Sequence, residues 1–223
     1  MTGIDATKEI DYVAQITNWL PQGLAEFLPS HVKGDLTKLG LAGHSRGGKV
    51  AFALALNRVK TELKLKFSAL IGIDPVDGSG KGSQTPPKVL TYVPHSFNLE
   101  MPVMVIGSGL GEVRKYNVFP PCAPKGVNHE DFYNECCKPA CYFVAKDYGH
   151  LDMLDDETKG IGGMFINCMC ESGKCREPMR RFVGGVVVAF LKGYLQGDFS
   201  FITAIKDDET IAPVVLQKVD FLL

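Results

Sequence analysis

Cysteine is missing from the first half of this 223-residue chain: all seven stand at positions 122, 136, 137, 141, 168, 170 and 175. That absence excludes a disulfide framework for the whole fold, and the odd count leaves at least one thiol unpaired within a monomer. Paired C-x-x-C spacing is missing as well. Cys168-x-Cys170-x4-Cys175 does not supply the ligand spacing of a zinc site, so free thiols or one or two local bridges are expected, and no metal. Net charge is nearly absent, at −1, which removes any electrostatic reason to expect nucleic acid or an anionic membrane as partner. No apolar run approaches the about 20 residues of a transmembrane helix. The longest, Phe182 to Leu191, is too short and is interrupted by Gly184 and Gly185. The opening MTGIDATKEIDYV has neither the charged, apolar and small-residue succession of a secretory signal nor an Arg-rich, acid-poor transit composition.

What is present is ordinary globular usage, 45% apolar and 22% charged, without repeats or low-complexity linkers. The length suits one sizeable core, so residues 1–223 are expected to form a single domain. Apolar residues at Ile10, Val13, Ile16, Leu20, Leu24 and Phe27 predict an amphipathic helix over 5–28, broken or kinked at Pro21. Lys38–Gly43 is a short strand candidate, and GGKVAFALALNRV after it reads as a helix. FSALIGI (67–73), Val103–Ile106 and Cys141–Ala145 are continuous apolar runs, the pattern of strands buried on both faces. RRFVGGVVVAFLKGYL closes the chain as a helix, followed by an irregular tail with one strand candidate near Val214–Leu216. Strands alternating with helices or crossovers predict an α/β fold, a parallel sheet flanked by helices. Ligands collect at the carboxyl ends of such strands. Ser45, Asp74, Gly107-Ser108 and Asp147 to His150 all follow apolar runs there, while 77–88 and 117–126 read as long loops over that face.

Gly43-His44-Ser45-Arg46-Gly47 matches G-x-S-x-G between a predicted strand and a predicted helix. Such a turn exposes a serine hydroxyl above the sheet, and glycines two before and two after remove clashing Cβ atoms. Arg46 would offer its backbone N–H, at a helix N-terminus, as one oxyanion donor. A serine needs a base, and the base needs a carboxylate to fix its tautomer. In a hydrolase fold the order is Ser, Asp or Glu, His, and Asp74 at the end of the next strand and His150 in the loop after the last strand meet it.

The competitors fit less well. Asp77 sits three residues into a loop and reads as a turn cap, while Asp147 and Asp152 read as local ligands to backbone N–H groups. His44 is expected to point away from the serine, and His95 and His129 sit in loops that follow no strand end. GSGLG (107–111) lacks dinucleotide-loop spacing, GKGS (80–83) lacks P-loop spacing, and His129-Glu130 lacks the second histidine of a zincin.

At GHSRGGKVAFALAL the sequence resembles plant chlorophyllase. The likeness continues through LIGIDPVDGSGKGSQTPPKVL, VIGSGLGE, FPPCAPKGVNHEDFYNEC, FVAKDYGHLDMLDDETKG and RRFVGGVVVAFLKGYL, in order. It implies an α/β-hydrolase fold and hydrolysis of the phytyl ester of chlorophyll to chlorophyllide and phytol, with no cofactor. The family's Ser, Asp and His fall on Ser45, Asp74 and His150. The resemblance also implies a chloroplast location and peripheral contact with pigment-bearing membranes. Phe97, Phe119, Pro120, Pro121 and Tyr148 are candidates for a broad apolar mouth, or for loop packing. The family pattern begins earlier, with further strands and an HG-type loop supplying a second oxyanion donor, so an N-terminally truncated chain is expected. Loss of one such donor costs about 10²–10³ in rate. A non-catalytic remnant that binds pigment or a full-length homologue, and a general lipase or esterase, are the alternatives.

Overall fold

The short strand candidate before Ser45 and the three apolar runs become adjacent parallel strands. The computed structural model describes residues 5–116, 119–155 and 169–223. β1 (Gly40–His44), β2 (Ala69–Ile73), β3 (Val103–Ser108) and β4 (Ala140–Ala145) pair in chain order, all parallel. β5 (Leu216–Leu222) pairs antiparallel with β4, and β1 has β2 as its one neighbour among the described strands. The sheet is therefore α/β and mostly parallel, as its runs predict.

Alternation along the strands splits the core in two. Leu70, Val103, Val105, Ala140, Tyr142 and Val144 face one cluster, shared with Ile10 and Ala14 of α1 (Thr7–Phe27) and Val50 to Leu54 of α2 (Arg46–Ala55). Phe132 and Tyr133 of α3 (His129–Glu135) join that side. Ala69, Ile71, Met104, Ile106, Cys141 and Phe143 face the other, covered by α4 (Glu177–Gln196) and α5 (Ser200–Asp207).

Several expectations need correction. α1 runs unbroken through Pro21, because the proline forfeits one bond to the Thr17 carbonyl while Ile10, Ala14 and Thr17 stay packed. The bounds of β1 to β4 differ from the predicted ones by up to two residues. The tail read as irregular holds α5 and β5, and β5 begins where the strand candidate ends. α3 went unread because seven residues are too few to display a period; its signal is the capping box of Asn128 and Asp131.

Cys122 and Cys170 form a disulfide, joining the loop after β3 to the segment before α4. Cys136, Cys137, Cys141 and Cys175 are free, and Cys168 lies outside the described residues. Among the described residues no group of three metal-ligating side chains is assembled, and no helix is long and apolar enough to cross a membrane.

Candidate active site

Ser45 leaves the end of β1 with φ 57° and ψ −124°, in the left-handed region that L side chains avoid. Its N–H still bonds the Ile73 carbonyl at 2.9 Å, extending the β1–β2 ladder by one rung before the chain turns into α2. The glycines around it are not equivalent. A Cβ on Gly43 would lie 2.1 Å from the Gly47 carbonyl oxygen, so that position tolerates only glycine. A Cβ on Gly47 would meet nothing within 4 Å, whereas one on Gly48 would lie 2.8 Å from Pro75 Cβ. The clash expected two residues after the serine thus falls three residues after it.

The Ser45 hydroxyl faces His150, with Oγ 2.7 Å from Nε2. On the far side of the ring, Nδ1 is 2.7 Å from Asp74 Oδ2. A carboxylate only accepts, so Nδ1 carries the hydrogen and Nε2 is left to accept the Ser45 proton. The structure therefore brings Ser45, His150 and Asp74 into one chain of hydrogen bonds. Arg46 opens α2 directly after the serine, its backbone N–H at the helix N-terminus. The Arg46 side chain turns instead to α1 and the residues before it: Nε donates to Glu9 at 2.7 Å and Nη2 to the Asp5 carbonyl.

Asp74 is fully buried and, like Ser45, has positive φ, at 44°. Burial alone would raise its pKa. The hydrogen bond and charge of His150, then the charge of His129 and the Ser108 hydroxyl, outweigh that and bring it to about 2. Ser108, the last residue of β3, grips both carboxylate oxygens: its Oγ–H donates to Oδ2 at 2.5 Å and its N–H to Oδ1 at 3.2 Å.

His44 engages His150. Its Nε2–H donates to the His150 carbonyl at 2.8 Å and its ring stands 4.8 Å from that of His150. Burial, then the neighbouring His150, pushes its pKa down to about 4, so it is neutral at pH 7. His129 is not in a loop but opens α3, buried beside Asp74. His95 stays away, its Nδ1–H donating to the Cys136 carbonyl.

Two of the other acids anchor loops. Asp152 accepts the N–H groups of Gly149 and Gly173 at 2.7 and 2.6 Å, and pairs with Arg176, fixing the turn that carries His150. Asp77 does more than cap a turn: it accepts from Val89 and Leu90 and forms a wholly buried ion pair with Lys49 at 2.8 Å.

A chlorophyllase family model matches residues 1–223. The chain belongs to the chlorophyllase family. This chlorophyllase-family chain is 56% identical to Chlorophyllase-2 of Arabidopsis thaliana, over all of the chain and 71% of that relative. It is 48% identical to Chlorophyllase-1 of the same plant, over 94% of the chain and 65% of that protein. Identity is 40% with "Chlorophyllase-1, chloroplastic" of Citrus unshiu, of which the chain spans 64%. Among solved structures, a ferulic acid esterase from Streptomyces cinnamoneus superposes with a TM-score of 0.57 at 18% identity. The match covers 98% of the chlorophyllase-family chain and 57% of the esterase, and it supports an α/β-hydrolase-like fold.

Lys49 escapes the reading of the sequence, and Ser108 is placed at a strand end there without a role. It sits inside GSGLG, which lacks the spacing of a dinucleotide loop. Gly107 is instead small because the His129 ring lies where its Cβ would be, 2.4 Å from Nδ1. Of the mouth candidates, Phe97 is fully buried between Phe52 and Phe132 and belongs to the core. Phe119 and Pro120 are exposed, and Pro121 and Tyr148 are half-buried.

Proposed function

We propose that this chain is a serine carboxylic-ester hydrolase of chlorophyllase type, cleaving the phytyl ester of chlorophyll. Ser45 Oγ attacks the ester carbonyl as His150 Nε2 takes its proton, and ionised Asp74 stabilises the resulting imidazolium. The tetrahedral oxyanion is received by the Arg46 N–H. His150 then protonates the departing phytol oxygen, leaving an acyl-enzyme on Ser45. Water, deprotonated by the same nitrogen, releases chlorophyllide as its carboxylate. The observation that carries this reading is the pair of 2.7 Å contacts joining Ser45, His150 and Asp74.

The substrate's long hydrocarbon tail favours work at a lipid surface. Val113, Tyr116 and Phe119 are exposed beside Arg114 in the loop after β3, at the catalytic end of the sheet. We assign peripheral membrane contact to this loop. Since the citrus relatives are named chloroplastic, the chloroplast is the compartment we infer.

Chromatographic measurement of phytyl-ester turnover by wild type and S45A tests the assignment. Chlorophyllide should form with wild type and stop with S45A, whose pigment binding should persist. Full turnover by S45A would refute it, and equal rates on a short nitrophenyl ester would make the chain a general esterase.

A further inference from the structure

Asp74 has a histidine on each side. His150 takes Oδ2, and His129 Nε2 stands 3.8 Å from Oδ1, the oxygen that among the described residues otherwise receives the longer Ser108 N–H bond. The His129 ring is clamped: it lies over Gly107, is 6% exposed, and its Nδ1 is 2.6 Å from the Tyr142 hydroxyl. Tyr142 is in turn stacked on Tyr133 at 4.5 Å. Burial, then the charge of Glu130, raises the phenol's pKa, so the hydroxyl keeps its proton.

A protonated phenol can donate to Nδ1 or accept from it, so the buried charge of Asp74 decides the tautomer. With Tyr142 donating to Nδ1, the hydrogen of His129 resides on Nε2, the nitrogen 3.8 Å from the carboxylate. The opposite arrangement would turn a nitrogen lone pair toward a buried anion.

We propose that His129 is a positioning residue for the ester hydrolysis, presenting Nε2–H to Asp74 Oδ1 and moderating the hold of Asp74 on His150. This inference rests on the hydrolase reading above. A positive hydrogen beside Asp74 reduces the negative potential felt by His150, whether His129 is neutral or charged. It therefore weakens the hold of Asp74 on the protonated form of His150. The groups facing the pair are Ser108 on β3, His44 on β1, Tyr142 on β4, and the carboxylates Glu112, Glu130 and Asp131, whose charges reach Tyr142.

The test is the titration of the His150 ring, followed by ¹⁵N NMR, in wild type, H129F, H129N and H129Q. Phenylalanine keeps the ring volume without a donor. Asparagine replaces Nδ1 and keeps Tyr142 engaged but cannot reach Asp74. Glutamine restores a donor at the Nε2 position. H129F and H129N should raise the His150 pKa by about half a unit, and H129Q should return it toward wild type. The acid limb of kcat/KM for phytyl-ester cleavage should move up by the same amount at unchanged KM. Where H129F fails to fold, H129N carries the test alone. A His150 titration unmoved in H129N, or moved equally in H129Q, overturns the inference. Loss of Ser45-dependent turnover in wild type would end the hydrolase reading instead, and the NMR titration separates the two failures.

Discussion

The turns at the ends of β1 and β2 solve one problem in two ways. Ser45 and Asp74 each keep a last ladder bond, to Ile73 and Ile106 respectively, and each then adopts positive φ. A non-glycine residue in that region costs about 1–3 kcal/mol, held only where the surroundings over-determine it. At Ser45 the restraint is local: the Gly43 and Gly48 backbones close in on the turn, and α2 starts immediately. At Asp74 the restraint comes from far along the chain, through Ser108, His129 and His150. The proposed nucleophile is built by its neighbours in sequence and its carboxylate by neighbours in space.

Breaking the carboxylate side should have the largest effect. D74N keeps the shape but presents an amide that favours the wrong His150 tautomer, and about 10⁴ in kcat should be lost while the fold persists. Phytyl-ester kinetics beside a circular dichroism spectrum check this, and a loss under tenfold would argue that His150 holds its orientation without Asp74.

On the nucleophile side the two glycines of the motif should separate sharply. G43A drives a methyl group into the Gly47 carbonyl and should cost about 4 kcal/mol or more, while G47A, in open space on a helix, should stay within about 1 kcal/mol of wild type. Urea midpoints decide, and equal losses would contradict the assigned crowding.

The smallest effect belongs to the tether between the two regions. His44 is held down to a pKa of about 4 by burial and His150, against an ordinary 6.5. Between those values the unfolded chain binds a proton that the folded one does not, so stability falls as pH falls from 6.5 to 4. H44F removes that contribution, on the order of 2 kcal/mol at pH 4.5. The difference in urea stability between pH 7 and pH 4.5 should therefore shrink in H44F, and an unchanged difference would deny the neutral, buried state.

The same contrast explains what the sequence made legible. Ser45, Asp74 and His150 stand where apolar runs end, and the glycines mark the elbow, so local pattern and chain order suffice to single them out. The shell around Asp74 depends on register. Ile73 lies opposite Ile106 and Gly107 opposite Val144, which sets Ser108 beside Asp74. Tyr142 is hidden in an apolar run, Lys49 in an apolar helix, and His129 in a helix of seven residues. None of these has a neighbour in sequence that discloses its partner.

The most direct test of the account is covalent. Wild type and S45A are treated with a fluorophosphonate at neutral pH, and the modified residue is mapped by peptide mass spectrometry. One adduct on Ser45, absent from S45A and strongly slowed in D74N, is the predicted result. An unmodified wild type, or an S45A chain labelled as fast as wild type, would contradict the account.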